Sequence, residues 1–218
     1  MIEAVLFDFD GTLADTAPDL GGALNLLLQR YNKPPVPLSR SRPFVSMGAR
    51  GMLEIGLGLK PQHAEFDALK AEYLSIYEDN LFRATRLFDG MDRLLDTLDQ
   101  RAIPWGIVTN KHSRFTMPIL AALKLHGRAK TVICGDAVAQ LKPDPAGLFA
   151  AVHELKIKPT KNIFYIGDDE RDIQAALAAN ITPVAARYGY LGNNNPPDKW
   201  GAAHAIDSPS DLVKLLGL

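Results

Sequence analysis

Residues 5–16 read Val5-Leu6-Phe7-Asp8-Phe9-Asp10-Gly11-Thr12-Leu13-Ala14-Asp15-Thr16. An apolar run stops abruptly at two carboxylates, a glycine and a hydroxyl residue. Such a run reads as a strand buried on both faces, as in a parallel sheet covered by helices. Ligands of these sheets gather at the carboxyl ends of the strands, where Asp8 and Asp10 stand. Side chains alternate along a strand, so aspartates separated by one residue begin on the same face. Carboxylates that close repel unless a cation, a shared proton or a substrate intervenes. The ordinary alternative is a solvated turn, since Asp and Gly are common turn residues.

Working outward, Leu20, Ala23, Leu24, Leu27 and Leu28 form a helical stripe over residues 19–31. Lys33-Pro34-Pro35-Val36-Pro37 ends it, because proline cannot continue a helix. Helical patterns follow over 48–57 and 63–81, and no strand is expected between residues 16 and 87. Beyond Phe88-Asp89-Gly90 the pattern changes. Helices over 91–101, 113–123, 145–155 and 173–179 alternate with strands over 105–108, 131–134, 162–166, 183–186 and 203–206. Alternation of this kind implies parallel βαβ units. The expected fold is α/β, a doubly wound, Rossmann-like parallel sheet built from residues 1–15 and 88–218. An all-helical insertion, residues 16–87, interrupts it after the first strand. Asn193-Asn194-Asn195-Pro196-Pro197 reads as a loop.

The 218 residues suffice for one sizeable core or a core plus a small accessory domain. Lys and Arg number 24 against 25 for Asp and Glu, so no global field favours nucleic acid or an anionic membrane. The single cysteine, Cys134, excludes an internal disulfide and any CxxC motif, and its apolar neighbours mark it as a small hydrophobe. No apolar run approaches a membrane span, and no basic n-region precedes an apolar core at the N-terminus. A cytoplasmic protein is expected. His63, His112, His126, His153 and His204 show no zinc-ligand spacing.

Three more segments place chemistry at predicted strand ends. Ile107-Val108-Thr109-Asn110-Lys111 puts a hydroxyl and an amide just before a helix, where free N–H groups can hold a phosphoryl oxygen, although Thr and Asn also cap helices. Gln140-Leu141-Lys142-Pro143-Asp144-Pro145 sets a lysine before a proline-initiated helix. Phe164-Tyr165-Ile166-Gly167-Asp168-Asp169-Glu170-Arg171-Asp172 ends a strand in Gly-Asp with more acids in the next turn, a pattern that helix capping explains only in part. With Asp8-Phe9-Asp10-Gly11-Thr12-Leu13 first, the four segments in this order resemble the motifs of the haloacid dehalogenase-like phosphatases with a helical cap.

The resemblance implies a phosphomonoesterase acting on a small phosphorylated metabolite. Asp8 would be the nucleophile, with Asp10 giving and taking the proton. Thr109, Asn110, Gly11 and Lys142 would hold and neutralise the phosphoryl group. Mg2+ would be bound by Asp8, the Asp10 carbonyl and Asp168, supported by Asp172 or Asp169. Asp10 also separates this chain from the dehalogenase and phosphonoacetaldehyde hydrolase branches, which lack an aspartate there. In the cap, Arg50 within Ser46-Met47-Gly48-Ala49-Arg50-Gly51 can reach a substrate carboxylate or phosphate. Gly48-x-x-Gly51 and Arg187-Tyr188-Gly189-Tyr190 resemble phosphoglycolate phosphatases and, equally, N-acetylmuramic acid 6-phosphate phosphatases. A β-phosphoglucomutase-like phosphotransferase and a catalytically silent binding protein are the alternatives. The chain is expected as a monomer or homodimer, with hinges at residues 16–17 and 88–90.

Overall fold

A computed structural model describes residues 2–192 and 195–218. The expected loop residues Asn193 and Asn194 therefore lie outside the described residues. The first strand, β1 (Ala4–Phe7), is buried throughout. Val5 and Phe7 pack into one apolar cluster and Ala4 and Leu6 into another. The apolar run is thus a strand sandwiched between two layers.

After a tight turn come β2 (Ala14–Asp15) and four helices: α1 (Ala17–Arg30), α2 (Leu38–Ser41), α3 (Gly48–Leu57) and α4 (Phe66–Asp79). A 3-10 stretch, Arg42–Met47, joins α2 to α3. Leu20, Leu24, Leu27 and Leu28 on α1 meet Met52 and Leu53 on α3 and Phe66, Leu69, Tyr73, Ile76 and Tyr77 on α4. The insertion therefore has an apolar centre of its own, in which each fully buried Leu or Met is worth about 1.5–3 kcal/mol.

The chain returns through β3 (Arg86–Leu87), which pairs antiparallel with β2 in the register Ala14↔Leu87 and Asp15↔Arg86. This strand corrects the expectation of none before residue 87. A two-residue strand shows no alternation to read, and it forms because the chain re-enters beside its own exit. Asp19 ties the two passes together. Its carboxylate accepts from the N–H groups of Arg83, Ala84 and Thr85 and from the Thr85 hydroxyl, at 2.6–3.1 Å.

The alternating series follows: α5 (Met91–Gln100), β4 (Trp105–Val108), α6 (Ser113–Ala122), β5 (Val132–Ile133), α7 (Ala146–Glu154), β6 (Ile163–Gly167), α8 (Glu170–Ala178), β7 (Thr182–Ala186), β8 (His204–Ile206) and α9 (Pro209–Leu216). Sequence patterning missed α9, although Pro209 at its start and Gly217 in the left-handed region at its end are the usual punctuation. Residues of α5, α6 and α9 pack on the face bearing Val5 and Phe7, and those of α7 and α8 on the face bearing Ala4 and Leu6. The sheet is doubly wound, as expected.

Its order is β5-β4-β1-β6-β7-β8, with every adjacent pair parallel. Counted along the sheet strands alone, this is the 3-2-1-4-5-6 order, which reverses direction between β1 and β6. The crevice at such a reversal is where open α/β sheets bind ligands, and Asp8 and Asp168 flank it. No described helix is long and apolar enough to cross a membrane.

Candidate active site

Asp8 follows β1, Asp168 follows β6, and Asp172 lies in the first turn of α8. Each offers a carboxylate oxygen, and these oxygens lie within 4.8 Å of one another. Asp168 and Asp172 are each only 1% exposed. Burial and the neighbouring charges of Asp172 and Asp10 push the Asp8 carboxyl up to about 7, against the pull of Lys142. Asp168 is raised well above the usual range, by burial first and then by Asp8 and Asp172. Asp168 accepts hydrogen bonds from Thr12 Oγ1 at 2.9 Å and the Tyr190 N–H at 2.7 Å. The donor set is oxygen alone, buried and short of positive charge, which fits a hard divalent cation such as Mg2+.

Two glycines make room for Asp168. A Cβ on Gly11, whose φ is +87°, would run into its carboxylate, and one on Gly189 would meet its Cβ and the Gly11 carbonyl. Gly11 thus has a packing duty here beside the one expected of it.

Lys142 supplies the balancing charge. Its Nζ lies 2.7 Å from Asp8 Oδ1 and 2.6 Å from Asp172 Oδ1, and donates to the Tyr165 hydroxyl at 2.9 Å. Burial works to lower its pKa, but Asp172 and Asp8 outweigh burial and hold the ammonium above its ordinary value. Asn110 grips the lysine's backbone from both sides: Lys142 N–H donates to Asn110 Oδ1 at 2.9 Å and Asn110 Nδ2 donates to the Lys142 carbonyl at 3.1 Å. Its amide group is therefore turned to the lysine. Thr109, 5% exposed at the end of β4, is not the cap of α6, which is His112. Its Oγ1 accepts from the Lys111 N–H at 3.2 Å.

Asp10 faces the insertion. Thr16 Oγ1 donates to its Oδ1 at 2.5 Å, and Lys111 Nζ donates to Oδ1 and Oδ2 at 2.9 and 3.1 Å. Lys111 also donates to the hydroxyl of Tyr77 on α4 at 2.9 Å, so it bridges core and insertion. Two further contacts cross this seam. Arg171 Nη2 donates to the Ser46 carbonyl at 2.5 Å, and Arg42 grips Asp15 through two hydrogen bonds of 2.9 and 3.0 Å. The Ser46 hydroxyl is buried without a hydrogen-bond partner among the described residues.

The two remaining sequence candidates stand apart from the cluster. Asp169 is the N-cap of α8, where its carboxylate takes the Arg171 N–H at 3.0 Å and the Arg171 side chain at 2.7 Å. Burial raises its pKa, but the Arg171 hydrogen bond and charge prevail and lower it. Asp172 serves both purposes, accepting the Asp169 N–H on Oδ2 at 3.1 Å while Oδ1 faces Lys142. Arg50 is exposed in the first turn of α3 and makes no hydrogen bond or ion pair among the described residues.

Sequence reasoning assigned nothing to Lys111, Thr12, Tyr165, Arg171 or Tyr190. Lys111 and Tyr165 stand inside segments read for their neighbours, and Tyr190 acts across 174 residues. Its hydroxyl accepts the N–H groups of Thr16 and Ala17 at 2.8 and 2.9 Å. It thereby satisfies the start of α1, whose own N-cap side chain makes no capping bond.

Known proteins place this arrangement. The profile of the haloacid dehalogenase-like hydrolases matches residues 5–186. An N-acetylmuramic acid 6-phosphate phosphatase of Pseudomonas aeruginosa is 38% identical over 215 residues, covering 99% of this chain and 95% of the relative. A phosphoglycolate phosphatase of Xanthomonas campestris pv. campestris is 40% identical over 209 residues, covering 96% and 94%. A crystal structure described as a predicted phosphoglycolate phosphatase from Haemophilus somnus superposes with a TM-score of 0.86 at 26% identity, covering 98% and 97%. The chain belongs to the haloacid dehalogenase-like hydrolase family. Within it, the chain is an enzyme of the phosphatase kind.

Proposed function

We propose that this enzyme is a magnesium-dependent phosphomonoesterase of 2-phosphoglycolate that works through an aspartyl-phosphate on Asp8. The observation that carries the reading is the placement of Asp8 at the sheet's reversal point, with Lys142 on one oxygen and Asp168 and Asp172 beside it.

An Asp8 oxygen attacks phosphorus in line, the bond from phosphorus to the ester oxygen breaks, and Asp10 gives that oxygen a proton. Asp10 then takes a proton from water as the water oxygen attacks phosphorus and the Asp8–phosphorus bond breaks. Lys142 and Thr109 offset and orient the phosphoryl oxygens, while Asn110 fixes Lys142. Mg2+, held by Asp8, Asp168 and Asp172 with the Asp10 carbonyl, supplies positive charge against the phosphoryl oxygens. Residues 16–87 act as a cap that excludes water and selects the substrate, swinging about the β2–β3 ribbon. Composition and the single buried cysteine support a cytoplasmic location.

A second reading, N-acetylmuramic acid 6-phosphate as substrate, is favoured by the Pseudomonas aeruginosa relative. The test is phosphate release from 2-phosphoglycolate, N-acetylmuramic acid 6-phosphate, hexose phosphates and nucleotides, with Mg2+ and then with a chelator. Mg2+-dependent turnover concentrated on 2-phosphoglycolate is expected. No release from any ester would overturn the phosphatase reading in favour of a mutase or a silent binder.

A further inference from the structure

Lys111 is buried where the cap meets the catalytic acid, with 7% of its side chain exposed. Two of its contacts fall on one carboxylate, Asp10, at 2.9 and 3.1 Å, and the third on the Tyr77 hydroxyl of the cap. Its charge can be shared. An ammonium carries three donors, and moving from two contacts on Asp10 to one would free a donor without breaking the ion pair. Other cations near the seam are already committed. Lys142 is held by Asp8 and Asp172, Arg42 by Asp15 and Arg171 by Asp169. Arg50 is exposed in the first turn of α3.

The position of Lys111 decides what such a donor can read. The ester oxygen of a substrate must come within hydrogen-bond reach of Asp10, about 3 Å. Lys111 Nζ sits at the same distance from the same carboxylate. An acid group on the carbon attached to that oxygen therefore falls within reach of Lys111, and a more distant acid group does not. We propose that Lys111 is the specificity-determining residue that selects phosphate esters bearing a carboxylate next to the ester carbon. The inference rests on the phosphatase reading and deepens it, because it separates the two substrates. In 2-phosphoglycolate the carboxylate is adjacent to the ester carbon. In N-acetylmuramic acid 6-phosphate the lactyl carboxylate hangs from the opposite side of the sugar ring.

The experiment compares kcat/KM for 2-phosphoglycolate with that for 2-hydroxyethyl phosphate, which replaces the carboxylate by a neutral alcohol of similar size. N-acetylmuramic acid 6-phosphate and N-acetylglucosamine 6-phosphate form a second pair that differs only in the remote acid. The wild-type enzyme is expected to prefer the carboxylate ester by about a hundredfold, the scale of a buried charge-assisted contact. It should show little preference within the sugar pair. Lys111→Met should collapse the first ratio to within a few-fold of unity, and Lys111→Arg should keep most of it. Equal losses on both small esters in Lys111→Met would overturn the proposal, leaving Lys111 as a support for Asp10. A wild-type ratio near one overturns it whether or not the variants fold. So does a strong wild-type preference for the muramic ester that Lys111→Met abolishes. Release from no ester takes down the phosphatase reading as well, whereas hydrolysis without a Lys111-dependent ratio takes down this inference alone.

Discussion

The ammonium of Lys142 lies 2.7 Å from Oδ1 of Asp8, and the lysine side chain is only 6% exposed. Even so, one lysine shared between Asp8 and Asp172 does not offset the burial of three carboxylates, and Asp8 remains raised to about 7. Function is built here at the expense of stability. Asp8→Asn should abolish turnover and yet stabilise the metal-free protein by about 1–3 kcal/mol near neutral pH, because it removes an unfavourable charge. Denaturant melts with a chelator present check this. A clearly less stable Asp8→Asn protein would show that Lys142 depends on Asp8 more than the carboxylates repel.

The same shift fixes a pH dependence. Asp8 binds its proton more tightly folded than unfolded, so its contribution to stability is full below the ordinary carboxylate range. That contribution is lost as pH rises from about 4 to about 7. Metal binding runs the other way, since protons compete for the same oxygens. Mg2+ should raise the melting temperature by several degrees at about pH 8 and by much less at about pH 5.5. An equal increment at both values would remove Asp8 from the metal site.

Asp10 meets Thr16 Oγ1 and Lys111 and stands outside the carboxylate cluster, a position suited to the leaving group. Asp10→Asn should lower kcat by about two to four orders of magnitude on an alkyl ester such as 2-phosphoglycolate. The loss should shrink on p-nitrophenyl phosphate, whose leaving group needs little protonation. Similar losses on both would argue that Asp10 only shapes the site.

Tyr190→Phe removes an acceptor shared by the buried N–H groups of Thr16 and Ala17 and a donor to Asp15. Each orphaned buried donor costs about 1–3 kcal/mol. The variant should melt several degrees lower, with faster hydrogen exchange at residues 16 and 17. Unchanged protection at both positions would mean that water replaces the hydroxyl.

The strand ends were legible because their signal is local. An apolar run that stops at an acid or hydroxyl shows in a few consecutive residues, and Asp8, Thr109 and Asp168 each stand at such a stop. The acids after β6 were legible only as a group. Which of them caps α8 and which faces Lys142 depends on a turn of helix, and Asp172 does both. The β2–β3 ribbon left no trace in the pattern, being two residues on each side.

Sequence by itself determined the doubly wound sheet, the helical insertion and the acids at its strand ends, since hydrophobic periodicity and turn residues act over short stretches of chain. Tertiary structure alone decided the partners. Lys142 on Asp8, Lys111 between Asp10 and Tyr77, and Tyr190 on the start of α1 join residues that are 134, 101, 34 and 174 positions apart. Pairings of that range are set by the reversal of strand order and the docking of the insertion, and no local pattern in the chain encodes them.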